Sequence, residues 1–296
     1  MQPVWAEGGI HLVLSDSGNA FQEAAKAFRA AVGIGRVTKV SSLTELTADQ
    51  VVEMARTSSL IVPVGTAAAR FVAQNYPVEK SAGQASVLSL MIPRALSEKL
   101  PWPVSLGRKK ISAVYFDQPV SRSIGLIRAA FPDARRVGLL VSGENAGVAR
   151  LLTQEAARHS IQIVPVTVDS ADEVAQALRQ VLPDSDVLLL VPDAIAINAG
   201  NAQNVLLTTY RYRVPVLGFS QGLSKAGAVA SLYSSPAQIG SQGAQMAIRL
   251  DESGDLPPAQ HASTFSIAFN PHVARSLGVN LPNEADIRRK LGAQGE

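Results

Sequence analysis

Short apolar runs rich in β-branched residues alternate along the chain with segments of helical periodicity. Strands that are apolar on both faces belong in a parallel sheet that is covered by helices on each side. Helical segments such as 19–31 and 66–74 carry apolar residues on one face only. The predicted strands are residues 10–14, 60–64, 87–91, 111–115, 136–141, 161–168, 187–191 and 215–218. This alternation predicts an α/β protein built on doubly wound parallel sheets.

Helix starts and ends are marked by capping residues. The segments 47–50, 170–173 and 235–238 have the form of a capping box, in which a Ser or Thr is followed three positions later by Gln or Glu. Asn270 before Pro271 predicts the start of a short helix, which Gly278 would end. These signals indicate where the helices of each βα unit begin.

The strand–helix series occurs twice, over residues 8–110 and again over residues 117–230. A chain of 296 residues exceeds what one hydrophobic core usually supports, so two lobes are expected. A boundary is predicted near residues 106–118, with further passages near 228–234 and 264–268. The sequence therefore predicts two doubly wound lobes joined by a three-strand hinge. Lobe 1 comprises residues 8–114 and 233–262, lobe 2 comprises residues 115–232 and 263–296, and a ligand cleft is expected between them.

Composition excludes several classes of protein. Hydrophobic residues make up 47% and charged residues 17%, which excludes a disordered chain and a coiled coil. The net charge is only +3, and the basic runs at 108–110 and 288–290 are expected to be solvated, so no nucleic-acid partner is predicted. No apolar run reaches the roughly 18–20 residues that span a bilayer. Val4-Trp5-Ala6 before Glu7 resembles the end of a cleaved signal, although no complete signal peptide is predicted.

Catalytic and metal-binding patterns are not found in the sequence. There is no cysteine, so disulfides, thiolate metal sites and a cysteine nucleophile are excluded. The histidines, His11, His159, His261 and His272, do not have metal-site spacing, and His11 within an apolar strand is expected to be a core or edge residue. There is no nucleophile elbow and no phosphate-binding loop. We therefore predict no catalytic residues, no metal and no cofactor.

Small polar residues follow the predicted strands in both halves. Because ligands in open α/β sheets bind beyond the carboxyl ends of the strands, these residues are candidates for contacting a ligand. Gly65 and Thr66 open a helix, where free backbone N–H groups would favour a carboxylate or phosphate. The same residue types also serve as ordinary turn and cap residues. The candidates in the first half are Ser15, Ser17, Gly65, Thr66 and Ile92, and in the second half Ser142, Asp193, Phe219 and Ser220.

Aromatic residues lie near the predicted passages between the lobes. Tyr115, Phe219 and Tyr233 are placed either to contact an apolar part of a ligand or to pack at the hinge. Asp117 adjoins the first passage and completes the set of candidate binding residues.

Several segments together resemble a known family. They are 111–119, 126–140, 214–220, 225–228 and 233–240, of which the last reads Tyr-Ser-Ser-Pro-Ala-Gln-Ile-Gly. In combination they resemble the ABC-transporter substrate-binding family that includes the tryptophan-binding type of receptor. The resemblance covers residues from about 10 to 281 and is clearest from 111 onward.

The resemblance implies a type I periplasmic-binding fold, export to the periplasm or another extracytoplasmic location, capture of a small solute between the lobes, and delivery to an ABC permease in the membrane. It places Gly65 and Thr66 in the first-lobe ligand loop, and Asp193 and Ser220 in second-lobe loops. Thr66 is then expected to bind an anionic group and Asp193 an ammonium or hydroxyl group. Members that bind aromatic amino acids carry an acidic or polar residue where this chain has Ile92. We expect a monomer.

Two other functions compete with a solute receptor. A ligand-sensing module of a regulatory or signalling protein uses the same fold, and a regulator would carry a DNA-binding module before residue 8. A Rossmann-like enzyme is disfavoured by the missing nucleophile–base pair and phosphate loop.

Overall fold

The computed structural model describes residues 8–33, 35–79 and 85–292. Val4-Trp5-Ala6, with its resemblance to the end of a cleaved signal, lies outside the described residues. The chain forms two compact units, with one ending at Phe116 and resuming over Ser234–Phe265, and the other comprising Asp117–Tyr233 and Ser266 onward. The chain therefore passes from one unit to the other three times.

Unit 1 begins as a series of parallel strands and helices. Its strands β1, β3 and β5 have the bounds that the sequence predicts, because each is a mostly apolar run. The elements in order are β1 Ile10–Leu14, α1 Asn19–Val32, β2 Val37–Ser42, α2 Ala48–Thr57, β3 Leu60–Val64, α3 Thr66–Asn75, β4 Ser86–Ile92, α4 Arg94–Ser97 and β5 Ile111–Tyr115.

Unit 2 repeats the pattern. Its elements in order are α5 Val120–Ala130, β6 Arg136–Val141, α6 Ala146–Ala157, β7 Gln162–Thr167, α7 Val174–Val181, β8 Val187–Leu189, α8 Ala202–Arg211, β9 Val216–Gly218, α9 Gln221–Ala226 and β10 Ala230–Tyr233. The chain then returns to unit 1 with α10 Pro236–Ser253 and β11 Gln260–His261, and ends in unit 2 with β12 Ser266–Phe269, α11 Pro271–Leu277 and α12 Glu284–Gly292.

Each unit contains one six-stranded sheet. The order in unit 1 is β11-β5-β4-β3-β1-β2, and every neighbouring pair is parallel. The order in unit 2 is β12-β10-β9-β8-β6-β7, and only the edge strand β12 is antiparallel to its neighbour. The prediction of two parallel-sheet α/β lobes is therefore confirmed. The carboxyl ends of the parallel strands of each unit meet at one edge, which we call the ligand edge of that unit.

Strand β2 is absent from the predicted strands. It lies at the edge of its sheet, and only Ser41 among its residues is buried, so it lacks the apolar run by which the other strands are identified. Sequence pattern alone identifies central strands better than edge strands for this reason.

The sheet of unit 1 is covered on both faces. One face packs against α1 and α10 through a cluster that includes Leu12, Val62, Leu90 and Phe28. A Cβ atom at Gly240 of α10 would lie 2.2 Å from the backbone oxygen of Ala24, so this pair of helices packs at a distance that only glycine permits. The other face carries Val13, Ile61 and Val87 with the helices α2 and α3.

His11 is buried in β1, as expected for a core or edge histidine. Its side chain is only 6% exposed, and its Nε2 lies 3.0 Å from Oγ of Ser41 in β2. Burial lowers the pKa of His11 from 6.5 to about 4, and the positive charge of Lys39 adds to this effect.

Two of the three predicted capping boxes form. Thr47 and Ser235 accept from the backbone of Gln50 and Gln238, whose side chains accept in return from the caps. The prediction of a capping box at 170–173 is wrong, because the Ser170 side chain makes no capping hydrogen bond. The Glu173 side chain accepts instead from the N–H of Asp169, at 2.9 Å. Helix α11 begins and ends as predicted, with Asn270 accepting from Val273 N–H and Gly278 left-handed at φ 74°.

Candidate functional site

The ligand edge of unit 1 is organised around Gly65, between β3 and α3. Its N–H donates to the carbonyl of Leu90 at 2.8 Å, and its φ is +96°, a conformation that favours glycine. A Cβ atom here would lie 2.5 Å from Oγ of Ser15 and 2.7 Å from Cε1 of Phe21. The loop after β3 thus depends on glycine both for its backbone conformation and for space.

Ser15 holds this loop from the neighbouring strand. Its N–H donates to the carbonyl of Val64 at 3.0 Å, and its Oγ accepts from the N–H of Ala68 in the first turn of α3 at 3.0 Å. The structure therefore brings Ser15 and Gly65 together and gives the Ser15 hydroxyl a capping role. Ser17 is exposed in the turn that follows, where Asp16 accepts from the N–H of Gly18.

Half-buried Thr66 is the first residue of α3. The first N–H groups of a helix have no acceptor within the helix. Ser15 satisfies that of Ala68, and the carbonyl of Gly65 satisfies that of Ala69 at 3.1 Å. Within the described part of the chain, no protein acceptor is recorded for the N–H groups of Thr66 and Ala67.

Ile92 and Tyr115 end the neighbouring strands β4 and β5 and share one apolar cluster. Ile92 is fully buried there with Ala69 and Ala113. The Tyr115 ring packs edge-on against His261 of β11, with centroids 5.1 Å apart and an interplanar angle of 67°. Both side chains contribute to the packing of unit 1, and Tyr115 is 7% exposed.

Asp193 is the centre of the ligand edge of unit 2. Its Oδ2 accepts from the N–H of Ser142 at 2.6 Å and from Nδ2 of Asn145 at 2.7 Å. Its Oδ1 accepts from the N–H groups of Ile195 and Ala196, each at 3.0 Å. A carboxylate offers about four acceptor positions, and protein donors fill all of them.

The charge of Asp193 is stabilised by these donors. Burial alone would raise the pKa of Asp193, but the hydrogen bonds from Ala196, Ser142 and Asn145 outweigh burial, and the pKa is lowered overall. The carboxylate joins the loop after β8 to the loop after β6, which contains Ser142. The expected role of Asp193, binding a solute ammonium or hydroxyl group, stays a prediction.

The remaining candidates of unit 2 lie in three places. Phe219 and Ser220 follow β9, Tyr233 ends β10, and Asp117 is the first residue of unit 2. Ser220 caps α9 by accepting from the N–H of Leu223 at 3.3 Å, and Phe219 packs partly buried against the core of unit 2. Tyr233 is half-buried, and burial, with a smaller contribution from the negative charge of Glu284, raises its pKa, whereas Arg288 lowers it. Asp117 is half-buried at the start of unit 2.

A cavity of unit 2 lies along α12, where Glu284 and Arg288 are close enough to Tyr233 to affect its pKa. It is an open hollow of about 660 Å³. Its charged groups are paired on the helix itself, Arg288 with Glu284 at 2.7 Å and Arg289 with Asp286. The lining residues are Asn283, Glu284, Ala285, Arg288 and Arg289. Because the arginines already have carboxylate partners, the hollow does not define a binding site.

Three neighbours of the predicted residues were missed by sequence reasoning. They are Phe21 beside Gly65, Met91 before Ile92, and Asn145 beside Asp193. Asn145 follows strand β6 closely and was detectable as another polar residue after a strand. The positions of Phe21 and Met91 depend on tertiary packing and on a strand irregularity, which leave no sequence signal.

No group of three or more His, Cys, Asp or Glu side chains that could hold a metal ion occurs among the described residues. Within the same residues, no helix has both the length and the hydropathy needed to cross a bilayer.

Two parallel-sheet units, between which the chain passes three times, define the class of type I periplasmic-binding folds. Solved structures agree. A conserved domain protein from Vibrio cholerae matches with a TM-score of 0.69 and 18% identity, covering 96% of this chain and 98% of that one. An ABC domain in complex with L-Trp from Streptococcus pneumonia matches with a TM-score of 0.69 and 17% identity, covering 95% and 98%.

A third match is the ligand-free, open structure of a substrate-binding protein with adhesive properties from Clostridium difficile, at a TM-score of 0.69 and 16% identity, covering 93% of this chain and 96% of that one. A search of curated proteins found no match. The family model described as ABC transporter substrate binding protein matches residues 38–288. The chain belongs to this family, as its sequence segments predicted.

Proposed function

We propose that this protein is the solute-binding receptor of an ABC importer and that it captures a small, carboxylate-bearing, amino-acid-like solute. Membership of the family supports a small-molecule ligand, a membrane permease as partner and an extracytoplasmic location. The observation that carries the choice of solute is the start of α3, where the N–H groups of Thr66 and Ala67 remain available beside a glycine that allows close approach.

The chemistry of this helix start suits an anionic group. Backbone N–H groups at the beginning of a helix donate to carboxylate oxygens, and the helix dipole favours negative charge there. The Thr66 hydroxyl can donate a further hydrogen bond. Ser15 fixes the first turn of α3, so these donors are held in place before the solute arrives.

The ligand edge of unit 2 contributes in a different way. Asp193 positions the loops after β6 and β8, so in this proposal the solute contacts exposed backbone and side-chain groups of those loops rather than the Asp193 carboxylate. We further propose that Tyr115, Asp117 and Tyr233 lie beside the hinge and that the solute favours closure of the two lobes around it. The receptor acts as a monomer that presents its closed form to the permease.

The first test is binding by the purified chain. Native mass spectrometry should detect a retained small molecule, and a thermal-shift screen of L-amino acids and related small acids should find a stabilising compound. If no mass is retained and no compound in the screen raises Tm, the proposed solute class is wrong.

The second test targets the donors at the start of α3. Thr66→Pro removes the N–H and the hydroxyl together, and proline is well tolerated at the first position of a helix. We expect the Tm of the ligand-free variant to stay near that of the wild type while binding of the acid found in the screen weakens at least tenfold. Thr66→Val is the matched control, because it removes the hydroxyl and keeps the N–H. Equal affinity of wild type and Thr66→Pro would exclude this helix start from the site.

A further inference from the structure

Two adjoining loops of unit 1 carry the most exposed large apolar side chains of the described residues. Val104 is 98% exposed and Val78 is 76% exposed, and the next such side chain is 50% exposed. The hydroxyl of Ser105 donates to the carbonyl of Val78 at 2.6 Å, which joins the loop after α3 to the loop before β5. We call Val78 and Val104 the valine pair.

A packed base holds both loops in place. The buried Tyr76 donates from its hydroxyl to the carbonyl of Ala85 at 2.7 Å. Its ring packs edge-on against Trp102, with centroids 6.5 Å apart and an interplanar angle of 78°. Leu106, close behind the valine pair, is buried in the same apolar cluster as Tyr76. The fold therefore buries the neighbours of the valine pair and directs the valines themselves into solvent.

A basic run lies next to the valine pair. Residues 108–110, Arg-Lys-Lys, form a single helical turn between Val104 and β5. Lys109 pairs with Asp255 at 2.7 Å, but its side chain is still 80% exposed, and an ion pair in water is weak. The neighbouring Glu79-Lys80 adds no net charge. The surface is thus apolar at the valine pair and positively charged beside it.

This composition favours a lipid surface over a protein partner. Binding energy at protein interfaces comes mainly from Trp, Tyr and Arg, whereas Val is under-represented among the dominant residues and Lys is depleted. Aliphatic side chains beside cations suit an anionic bilayer instead. The cations are attracted to the negative headgroups, and the apolar groups enter the boundary between headgroups and acyl chains.

The valine pair lies away from the ligand edge of unit 1. Helix α3 starts at the ligand edge and runs back along the sheet, so Val78, which follows the end of α3, lies at the opposite edge. Strand β5 is parallel to the other strands of the sheet and therefore begins at that opposite edge, directly after the basic run. A bilayer that contacts the valine pair would leave the ligand edge of unit 1 accessible.

From these observations we infer that unit 1 has a membrane-docking surface, in which the valine pair enters an anionic bilayer and the basic run at 108–110 contacts lipid phosphates. The inference goes beyond the proposed function, because capture of a solute does not require it. A receptor that adsorbs weakly to the membrane is present near its permease at a higher local concentration than one that is free in solution.

Sedimentation with vesicles is the first test. Vesicles of phosphatidylcholine alone are compared with vesicles that also contain the anionic lipid phosphatidylglycerol. We expect the wild type to bind the anionic vesicles at least tenfold more tightly, and added salt to weaken this binding.

A double variant tests the valine pair. Val78→Asp/Val104→Asp should weaken binding to the anionic vesicles at least tenfold and leave Tm near that of the wild type, because both side chains are exposed. Leu151→Asp/Leu207→Asp is the matched control. It places the same charges at side chains of unit 2 that are 43% and 50% exposed, and it should bind the vesicles as the wild type does.

A fluorescent label tests whether the valine pair enters the bilayer. The chain has no cysteine, so Val104→Cys and Leu207→Cys each provide a single attachment site for an environment-sensitive fluorophore. Anionic vesicles should shift the emission of the label at position 104 to shorter wavelength and leave that of the label at position 207 unchanged.

Three results would overturn the membrane-docking surface: no binding to anionic vesicles, equal binding to both kinds of vesicle, or wild-type binding by Val78→Asp/Val104→Asp. A dimer in analytical ultracentrifugation that this double variant abolishes, without vesicle binding by the wild type, would assign the valine pair to a second copy of the chain and also overturn the inference. Each of these results leaves the receptor function standing, because solute binding is measured in the absence of vesicles.

Discussion

The ligand edges of the two units are built from different chemistry. In unit 2 a buried carboxylate, Asp193, accepts from four donors and holds the loops around Ser142 and Asn145. In unit 1 the loops are fixed by Gly65, which has a positive φ, and by the hydroxyl of Ser15. The comparison teaches that equivalent places in two similar folds can be made rigid either by charge or by backbone shape.

The largest expected effect comes from Gly65→Ala in unit 1. The added Cβ would require a strained backbone and would overlap Ser15 and Phe21, so we expect a loss of about 3–4 kcal/mol in the free energy of unfolding. Urea denaturation measures this loss. Gly143→Ala, in the loop after β6 of unit 2, is the control, because a Cβ there meets no atom within 4 Å. Equal losses in both variants would contradict the distinction between the edges.

Asp193→Asn tests the charge-based edge of unit 2. The amide keeps the size of the side chain but replaces one accepting oxygen with a donor that faces N–H groups, so we expect a loss of about 2–3 kcal/mol. Asp16→Asn in unit 1 is the control. Asp16 is exposed and accepts one bond, from Gly18, which an amide oxygen can still accept, so the change should stay within about 0.5 kcal/mol. If only Asp16→Asn lowered the free energy of unfolding, the stabilising role given to the Asp193 charge would be wrong.

A smaller expected effect is the pH dependence of stability, which differs between His11 in unit 1 and Asp193 in unit 2. The folded pKa of His11 is lowered to about 4, so between pH 4 and 6.5 the unfolded chain binds a proton that the folded chain does not. Stability is therefore lost as the pH falls through this window, by roughly 2 kcal/mol between pH 7 and pH 5, and His11→Gln should flatten the profile there. The pKa of Asp193 is also lowered, so its contribution is present above pH 3.8 and is lost only below that value. Urea denaturation at several pH values measures the contributions of both side chains. If stability depended on pH equally steeply in His11→Gln and in the wild type, the role given to His11 would be wrong.

The sequence was sufficient to predict the central strands of the sheets and insufficient to predict the edge strand β2 and one of the helix caps. Mostly apolar runs predicted the bounds of β1, β3 and β5, because burial on both faces leaves only His11 and Ser112 as polar residues in these strands. The edge strand β2 and the failed box at Ser170 depend on tertiary partners that no local pattern contains.

The candidate site shows the same division between position and role. Sequence reasoning placed Ser15, Gly65, Ser142 and Asp193 after their strands, where the structure has them. It could not predict that protein donors would fill the Asp193 carboxylate, since those donors come from residues up to 51 positions away. Nor could it predict the bulge at Met91, because one inserted residue shifts the register with β5 without changing the local composition.

The return of the chain to unit 1 at Ser234 has a consequence for biosynthesis. Helix α10, which packs on α1 and one face of the first sheet, leaves the ribosome only after residues 117–233 of unit 2. Until then only α1 can cover the face that carries Leu12, Val62 and Leu90, and incompletely covered apolar surface makes nascent chains prone to aggregate. A fragment that stops at Tyr233 should therefore be insoluble, and in the cell the early half of this polypeptide depends on the last sixty or so residues for its first stable state.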